Sequence, residues 1–351
     1  MSLITINQII KLPKVELHCH LDGSLRVESI IDQAKLDKLG LQFDDHESLS
    51  NYFKFKKKSN LKQYLKKFEL TLIVMQTPES LIRYSYELIE DVNKENVIYI
   101  EVRFSPILHL KNGMNLEIAL ESVIKGLKKG EKDFGVKSGI IICGIRHISP
   151  EASLKLAELA VKYKDCGVVG FDLAGIEENF PAKEHRKAFY LIRNNNLNAT
   201  IHAGEAYGPS SIHQAIHQCG ANRIGHGTRL IENQDLMHYV NDHRIALEIC
   251  LTSNWQTSSI KSLASHPLKF YYENGLRVTL NTDNRLISNT SLAREFMLAH
   301  TNFGFDLDDF KKITIYSIKS AFMNYDNRLQ MIKEIINKFE KNSLKNFSTK
   351  T

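Results

Sequence analysis

The sequence predicts an α/β fold of the (β/α)8 TIM barrel class, and three observations lead there. Short, nearly continuous apolar runs alternate with helical patterns along the chain, as expected for parallel strands that are buried on both faces. There are eight such runs, the number that a closed barrel needs. The chain has 351 residues, of which 43% are hydrophobic, so it can form one large core.

The predicted strands are spread from the N-terminal region to the last quarter of the chain. They are VELHCHL at 15–21, Val97–Phe104, Gly139–Ile145, Gly167–Leu173, Ala199–His202, Arg223–His226, Ile245–Cys250 and Arg277–Asn281. Helical patterns lie between them, including SLKLAELAVKYK at 153–164 and SIHQAIHQCG at 211–220. The order of strand, loop and helix is the repeating unit of the barrel.

Two segments depart from a minimal barrel. Roughly 75 residues lie between the first two strands, a length that usually carries a lid or part of a binding site. We expect extra helices there, one of them over 60–76. A helical C-terminus is expected over 307–351, with a tail at 342–351 that frays. No linker or repeat interrupts the chain, so residues 1–351 are predicted to form a single domain.

Composition narrows the classes of protein to consider. The formal net charge of +6 comes without an arginine-rich tract, so nucleic-acid binding is not indicated, and the densest basic run, Lys54-Phe55-Lys56-Lys57-Lys58, is interpreted as an exposed loop or helix end. The five cysteines include no CxxC pair, which argues against a disulfide framework or a thiolate zinc site. No secretion signal or membrane segment is recognised. A cytoplasmic protein without a membrane partner is predicted.

Polar side chains collect where the predicted strands end, the face on which barrels carry their chemistry. His18 and His20 close the first strand, and both point to the same face because side chains alternate along a strand. Two converging imidazoles form a good pair of nitrogen ligands. A third histidine and a carboxylate from other strand ends would complete a zinc site with one position open for water.

A second histidine pair is interpreted differently. His213 and His217 are four apart on a predicted helix, as in the HExxH zinc-protease motif. Gln214 stands where that motif has its glutamate base, so we interpret the pair as a surface helix face. The HxE and PCxxC signatures of the base-flipping zinc deaminases are absent from the sequence.

Six segments carry a resemblance to a known family. They are PKVELHCHLDGSLR (13–26), EVRFSP (101–106), FDLAG (171–175), HAGE (202–205), RIGHG (223–227) and LNTD (280–283). In this order they resemble the adenosine deaminase family of metal-dependent hydrolases. The resemblance implies a (β/α)8 barrel with one zinc ion per chain. It also implies hydrolytic deamination of adenosine and 2′-deoxyadenosine to inosine and 2′-deoxyinosine, with release of ammonia.

The resemblance implies roles for individual residues as well. The metal ligands would be His18, His20, His202 and Asp283. Among the catalytic residues, Glu205 would donate a proton to purine N1, His226 would be the general base, and Asp283 would help to orient the attacking water. The substrate contacts would be His20, Asp22 to the ribose 5′-hydroxyl, the Gly175 backbone N–H to N3, and Asn284 to N7. Leu61, Tyr64, Leu65 and Phe68 align with a hydrophobic helix that gates the pocket, although their spacing also suits plain core packing.

Asn284 is a departure from the family pattern. Many members carry two aspartates in NTDDP, whereas this chain has NTDNRL. Purine N7 is an acceptor, and an asparagine amide donates to it as it stands, whereas an aspartate must first be protonated. The ligand Asp283 is retained, so the change bears on substrate preference and not on the metal.

Three alternatives stay open. The first is a deaminase of adenine, 6-aminodeoxyfutalosine or an adenine nucleotide, although a 5′-phosphate would be repelled by Asp22. The second is a two-metal hydrolase of the same superfamily, which commonly needs a lysine on strand four, where this chain has GFDLAG. The third is a non-catalytic zinc barrel that binds nucleosides, for which Glu205 and His226 would serve no purpose. Arg103 is interpreted as a structural ion-pair residue, and the oligomeric state does not follow from the sequence.

Overall fold

The computed structural model describes residues 4–43, 45–55 and 58–348, with side chains up to residue 340. Eight parallel strands form one sheet, in which each strand pairs with the next along the chain. They are β1 Lys14–His20, β2 Val97–Phe104, β3 Lys137–Ile145, β4 Val168–Ala174, β5 Asn198–Ala203, β6 Arg223–His226, β7 Ala246–Ile249 and β8 Val278–Leu280. All eight predicted strands are confirmed, with ends that differ by one or two residues at most.

The last strand returns to the first. A parallel bridge joins Cys19 of β1 to Asp283, just beyond β8. It is held by the Asp283 N–H donating to the His18 carbonyl at 2.8 Å and by the His20 N–H donating to the Asp283 carbonyl at 2.8 Å. This contact completes the barrel, so the predicted (β/α)8 TIM barrel is confirmed. It also places Asp283 directly beside both histidines of β1.

Helices surround the sheet, and the apolar core lies between the two layers. The helices of the described part are α1 Ile6–Lys11, α2 Val27–Leu36, α3 His46–Phe53, α4 Leu61–Leu65, α5 Phe68–Ile73, α6 Pro78–Asn93, α7 Leu116–Phe134, α8 Pro150–Lys162, α9 Arg186–Asn194, α10 Pro209–His217, α11 Gln234–Asp242, α12 Leu251–Gln256, α13 Leu268–Glu273, α14 Leu292–Phe303, α15 Leu307–Ser320 and α16 Tyr325–Ser348. Helices α2 to α6 lie between β1 and β2, and α15 and α16 end the chain. Both predicted additions to the minimal barrel are therefore confirmed.

The prediction of one continuous helix over 60–76 is wrong. The structure breaks it into α4 and α5, with Lys66 and Lys67 between them. The Lys67 ammonium donates to the carbonyls of Tyr52 at 2.9 Å and Phe53 at 2.6 Å, at the end of α3. The break is therefore tied to another helix, a tertiary contact that the local helical spacing does not reveal.

Several predictions concern the exposed parts of the chain. Of the basic run, residues 56 and 57 lie outside the described residues, whereas Lys54 is exposed and follows α3. Of the tail, residues 342–348 continue the backbone of α16, and residues 349–351 lie outside the described part.

All five cysteines are free. Among the described helices, none is long and apolar enough to cross a membrane.

The inside of the barrel carries buried charges. Arg103 of β2 pairs with Asp172 of β4 at 3.1 Å and with Glu248 of β7 at 3.0 Å. Arg223 of β6 pairs with the other oxygen of Glu248 at 2.6 Å and with Glu101 of β2 at 2.5 Å. Buried charges are stable only when paired and hydrogen-bonded, so this network links four strands through their side chains. The interpretation of Arg103 as a structural ion-pair residue is confirmed.

Candidate active site

Four possible ligand atoms converge at the C-terminal end of the barrel. The Nε2 atoms of His18 and His20 lie 3.1 and 3.2 Å from Nε2 of His202, and each lies 3.4 Å from Oδ1 of Asp283. Ligand atoms that surround a metal tetrahedrally at ~2.0–2.1 Å are about 3.3 Å from one another. The spacing of these four atoms therefore fits a single cation held between them.

Two buried carboxylates orient the histidine rings. Glu248 Oε2 lies 2.8 Å from Nδ1 of His18, and Asp172 Oδ2 lies 3.0 Å from Nδ1 of His202. A proton held on Nδ1 by a carboxylate leaves the Nε2 lone pair free for a metal. Burial alone would raise the pKa of Glu248, but the guanidiniums of Arg103 and Arg223 hold that pKa well below its usual range. The arginines of the barrel network thus keep this carboxylate ionised.

The sequence pattern alone does not identify Glu248, and it includes Asp172 only within the FDLAG segment. The signal that could have identified them is a charged residue inside a strand that is otherwise buried and apolar, as in ALEI of β7. Such a residue needs a buried partner. Its partners, however, come from strands that are distant in the sequence.

His226 and Asp283 share an uncommon backbone conformation. Their φ angles are 66° and 60°, in the left-handed region that non-glycine residues rarely adopt and that costs on the order of 1 kcal/mol or more. Ser253 Oγ donates to Asp283 Oδ2 at 2.5 Å, which leaves Oδ1 for the histidine cluster. His226 is the last residue of β6 and Asp283 lies just beyond β8, and strained backbone of this kind is often found at functional sites.

His226 lies close enough to be considered as a ligand itself. Ligand atoms of His18, His202, His226 and Asp283 all lie within 4.8 Å of one another. His20 has the tighter spacing, however, at 3.2 Å from His202 and 3.4 Å from Asp283. The Nε2 of His226 instead lies 3.6 Å from Oε2 of Glu205. The geometry therefore favours His20 as a ligand and places His226 between the cluster and Glu205.

Glu205 lies in the turn after β5, and a second glutamate holds that turn. The Glu177 carboxylate accepts the backbone N–H groups of four consecutive residues, Gly204 at 2.7 Å, Glu205 at 3.1 Å, Ala206 at 2.7 Å and Tyr207 at 3.0 Å. Burial, and then the charge of Asp283, raise the pKa of the Glu205 carboxyl to about 8. Glu205 can thus carry a proton at neutral pH. The sequence offered no indication of the role of Glu177, because the two segments meet only in the fold.

A cavity of about 380 Å³ opens above the histidine cluster. The predicted site residues that line it are His20, Asp22, Gly175, His202, Glu205, His226, Asp283 and Asn284, together with Leu61, Tyr64, Leu65 and Phe68. His18 lies buried beneath them. A larger depression of about 790 Å³ lies at the opposite end of the barrel, where β3, β4 and β5 begin, and barrel enzymes do not carry their chemistry at that end.

Asp22 and Asn284 each present an unpaired oxygen in this region. Within the described residues, Oδ1 of Asp22 and Oδ1 of Asn284 are buried without a hydrogen-bond partner. Burial raises the pKa of Asp22 to about 7. Buried polar atoms are normally paired, so such atoms beside a cavity are candidates for ligand contact.

The Asn284 side chain is held from two sides. Its Nδ2 donates to the Tyr64 hydroxyl at 2.9 Å, and that hydroxyl lies 2.7 Å from Oγ of Ser288. A Cβ on Gly23 would lie 1.9 Å from Asn284 Oδ1, so only glycine leaves room for this amide. Tyr64 lines the cavity, and its hydroxyl is held in place by Asn284 and Ser288. Gly175 also lies at the cavity, with a φ of 95° that favours glycine.

The His213 and His217 pair lies away from this site. Both side chains are exposed on α10. Their ring centroids are 4.3 Å apart, and the ring of Tyr239 lies 4.7 Å from that of His217. Their interpretation as a surface helix face is confirmed.

Comparisons with known proteins agree with this architecture. The family model described as adenosine deaminase matches residues 13–338. The chain is 40% identical to the adenosine deaminase of Mycobacterium ulcerans over 350 residues, which cover 95% of this chain and 96% of that one. It is 28% identical to the Arabidopsis N6-mAMP deaminase, whose crystal structure superposes with a TM-score of 0.85 over 94% of this chain and 99% of that one. The structure of an amidohydrolase from Burkholderia ambifaria with bound Zn, at 20% identity and a TM-score of 0.88 over 98% and 95% of the two chains, shows the same fold. This chain belongs to the adenosine deaminase family.

Proposed function

We propose that this protein is a zinc-dependent hydrolase that deaminates adenosine and 2′-deoxyadenosine to inosine and 2′-deoxyinosine. The single observation that carries the proposal is the cavity in which a four-atom cation site, His226 and the protonatable Glu205 face the same space. The family is metal-dependent, and its curated relatives act as adenosine deaminases. All of these groups lie in the last residues of strands of one sheet or just beyond them, which supports treating residues 1–351 as one catalytic domain.

Zinc is the metal that the donor set fits best. Three imidazole nitrogens and one carboxylate oxygen, at the spacing of a small coordination sphere, suit a borderline cation and are a poor match for calcium or magnesium. Bound zinc would lower the pKa of a water molecule from 15.7 toward about 7 and so supply hydroxide near neutral pH. His18, His20, His202 and Asp283 are the residues that would hold it.

The reaction requires a water oxygen to attack C6 of the purine while N1 gains a proton. Glu205 is suited to supply this proton, because burial keeps its carboxyl protonated near neutral pH. Ammonia then leaves with one proton of the attacking water. The hydroxyl formed at C6 returns the other proton to Glu205, which leaves the 6-oxopurine with a proton on N1. Atoms and protons balance, and the carboxyl group is regenerated.

The remaining contacts concern recognition. Asp22 has an unpaired oxygen that would accept the ribose 5′-hydroxyl, the Gly175 backbone N–H would meet N3, and the second N–H of the Asn284 amide would reach N7. His20 borders the same cavity and would contact the substrate as well as the metal. These contacts favour a nucleoside, because a 5′-phosphate would lie against the Asp22 carboxylate.

An adenine nucleotide is the second candidate substrate. Two exposed lysines, Lys62 and Lys66, line the edge of the cavity, and the Arabidopsis relative is an N6-mAMP deaminase. Free adenine and 6-aminodeoxyfutalosine follow as further candidates.

The test combines metal analysis with a panel assay. We expect one zinc per chain and ammonia release from adenosine and 2′-deoxyadenosine, at a kcat/KM well above the values for AMP, N6-methyl-AMP, adenine and 6-aminodeoxyfutalosine. Removal of the metal by a chelator should abolish activity, and zinc should restore it. Preference for a nucleotide would replace the nucleoside assignment, and inertness toward every compound would contradict a deaminase function.

A further inference from the structure

His226 has partners on both sides of its ring. Its Nε2 faces the site, 3.6 Å from Glu205. Its Nδ1 faces away, toward α12, where Nδ2 of Asn254 lies at 3.0 Å. Both His226 and Asn254 are fully buried. The hydrogen-bonding direction on the Nδ1 side therefore decides which ring nitrogen carries the proton.

The contact continues to a second histidine. Oδ1 of Asn254 lies 3.2 Å from Nε2 of His266. On the far side of that ring, the backbone N–H of Leu268 donates to Nδ1 of His266 at 2.9 Å. Four groups are thus connected in one buried chain of hydrogen bonds, which runs from the backbone N–H of Leu268 through His266 and Asn254 to His226 in the active site.

The donor and acceptor of each hydrogen bond in this series follow from its first member, the backbone N–H of Leu268. A backbone N–H can only donate, so Nδ1 of His266 is an acceptor. Burial lowers the pKa of His266 to about 3, so the ring is neutral and its single proton is on Nε2. That N–H needs an acceptor, which is the oxygen of the Asn254 amide. The Asn254 nitrogen then donates to Nδ1 of His226, and the proton of His226 lies on Nε2.

We propose that Asn254 and His266 are positioning residues that hold His226 as its Nε2–H tautomer, so that His226 donates a hydrogen bond to the attacking oxygen. This inference rests on the proposed function. It differs from the general-base role that the family resemblance implied, because a ring with its proton on Nε2 has no lone pair facing the site. A doubly protonated ring is also disfavoured, because its Nδ1–H would face the amide N–H of Asn254, and two facing donors leave both unsatisfied.

The tautomer can be read without any substrate. In the zinc-loaded protein, long-range ¹H–¹⁵N correlation of the histidine rings should show His226 with a protonated Nε2 and an unprotonated Nδ1. The His226→Gln variant identifies the signals by their loss. A protonated Nδ1 in the wild-type protein would overturn the proposal. This result is independent of the panel assay, so a protein that deaminates none of the compounds could still show the expected tautomer.

Asn254→Asp tests the chain directly. A carboxylate has the shape of the amide but only accepts, so it should draw the His226 proton to Nδ1 and turn a lone pair toward the site. We expect kcat to fall by about 10²-fold, as for the loss of one preorganised donor. KM should change little, because neither Asn254 nor His266 lines the cavity. Asn302→Asp, the same change at an exposed position of α14, should leave both constants unchanged.

The His266→Gln variant is a conservative change that should preserve the hydrogen bond to Asn254. A glutamine amide can donate to the Asn254 oxygen and so keep the direction of the chain. This variant should keep the Nε2–H tautomer of His226 and lose much less kcat than Asn254→Asp. Equal losses in the two variants, or an unchanged tautomer in Asn254→Asp, would indicate packing alone and contradict the proposal.

Discussion

Glu177 accepts the backbone N–H of Glu205 at 3.1 Å and, with the same oxygen, the N–H groups of Ala206 and Tyr207. A glutamate that follows β4 thus fixes the turn that carries the proposed proton donor after β5. Hydrogen bonds to an ionised acceptor are among the stronger ones in proteins. The position of Glu205 therefore depends on a residue that makes no contact with the purine in the proposed binding mode.

Replacing Glu177 should weaken both the fold and the reaction. In Glu177→Gln the amide offers one acceptor oxygen, and its NH₂ group faces backbone donors. The free energy of unfolding should fall by about 1–3 kcal/mol, and kcat should fall by about tenfold or more as Glu205 loses its alignment. Urea unfolding and ammonia release measure the two effects. The neighbouring exposed Glu178 provides the control, and equal behaviour of Glu178→Gln would contradict the role of Glu177.

Removing the proton donor should separate turnover from metal binding. Glu205→Gln keeps the shape of the side chain but cannot protonate N1, so we expect kcat to fall by about 10²–10⁴-fold. Metal content should stay at one zinc per chain, because Glu205 is not among the four convergent ligand atoms. Glu158→Gln, on the surface of α8, serves as the matched control. Full activity of Glu205→Gln would refute its assignment as the donor.

The same carboxyl group should give the reaction an alkaline limit. Burial raises the pKa of Glu205 to about 8, so the proton is present below this pH and lost above it. The kcat/KM of the free enzyme should therefore decline as the pH rises through about 8. The residual activity of Glu205→Gln should lack this decline. A pH profile of both proteins from about pH 6 to pH 10 checks the prediction. An identical alkaline decline of kcat/KM in the two proteins would assign that decline to a group other than Glu205.

Asp172 should control zinc affinity without touching the metal. It accepts from Nδ1 of His202 and pairs with Arg103. Asp172→Asn should lower zinc affinity by about 10–100-fold, as is typical when the partner of a ligand histidine is lost. It should also destabilise the protein by about 3–5 kcal/mol, because the charge of Arg103 loses a buried partner. Competition with a chelating dye and thermal unfolding give the two values, with the exposed Asp165→Asn as control.

Gly23→Ala should affect substrate binding through Asn284. The new methyl group would lie 1.9 Å from Asn284 Oδ1, so the amide must move away from its place at the cavity. We expect KM for adenosine to rise by about tenfold, the equivalent of one lost hydrogen bond of ~1.4 kcal/mol, while zinc content is unchanged. Gly40→Ala, where a Cβ would meet nothing within 4 Å, should behave as wild type. Loss of zinc in Gly23→Ala would show that the residue supports the metal instead.

Helix boundaries show where local patterns reach their limit. The helical spacing of 60–76 correctly predicted helix, but not the break at Lys66 and Lys67. That break depends on the carbonyls at the end of α3, which the Lys67 ammonium reaches only after the chain has folded back. The apolar residues of α4 and α5 nevertheless line the cavity, namely Leu61, Tyr64, Leu65 and Phe68.

The eight strands, the barrel, the family and the residues that meet at the cavity can all be inferred from the amino-acid sequence. The strands and the barrel follow from periodicity and from the rule that parallel strands end on one face, whereas the family and most of the cavity residues follow from the short motifs and the resemblance that they carry. The partners that hold those residues become visible only in the folded protein, because they lie far away in the sequence. Glu248 orients His18 across 230 positions and Asp172 orients His202 across 30. In the proposed hydrogen-bond chain, Asn254 and His266 determine which ring nitrogen of His226 carries the proton. Hydrogen-bond direction is a property of atoms in contact, so it emerges only when the barrel closes.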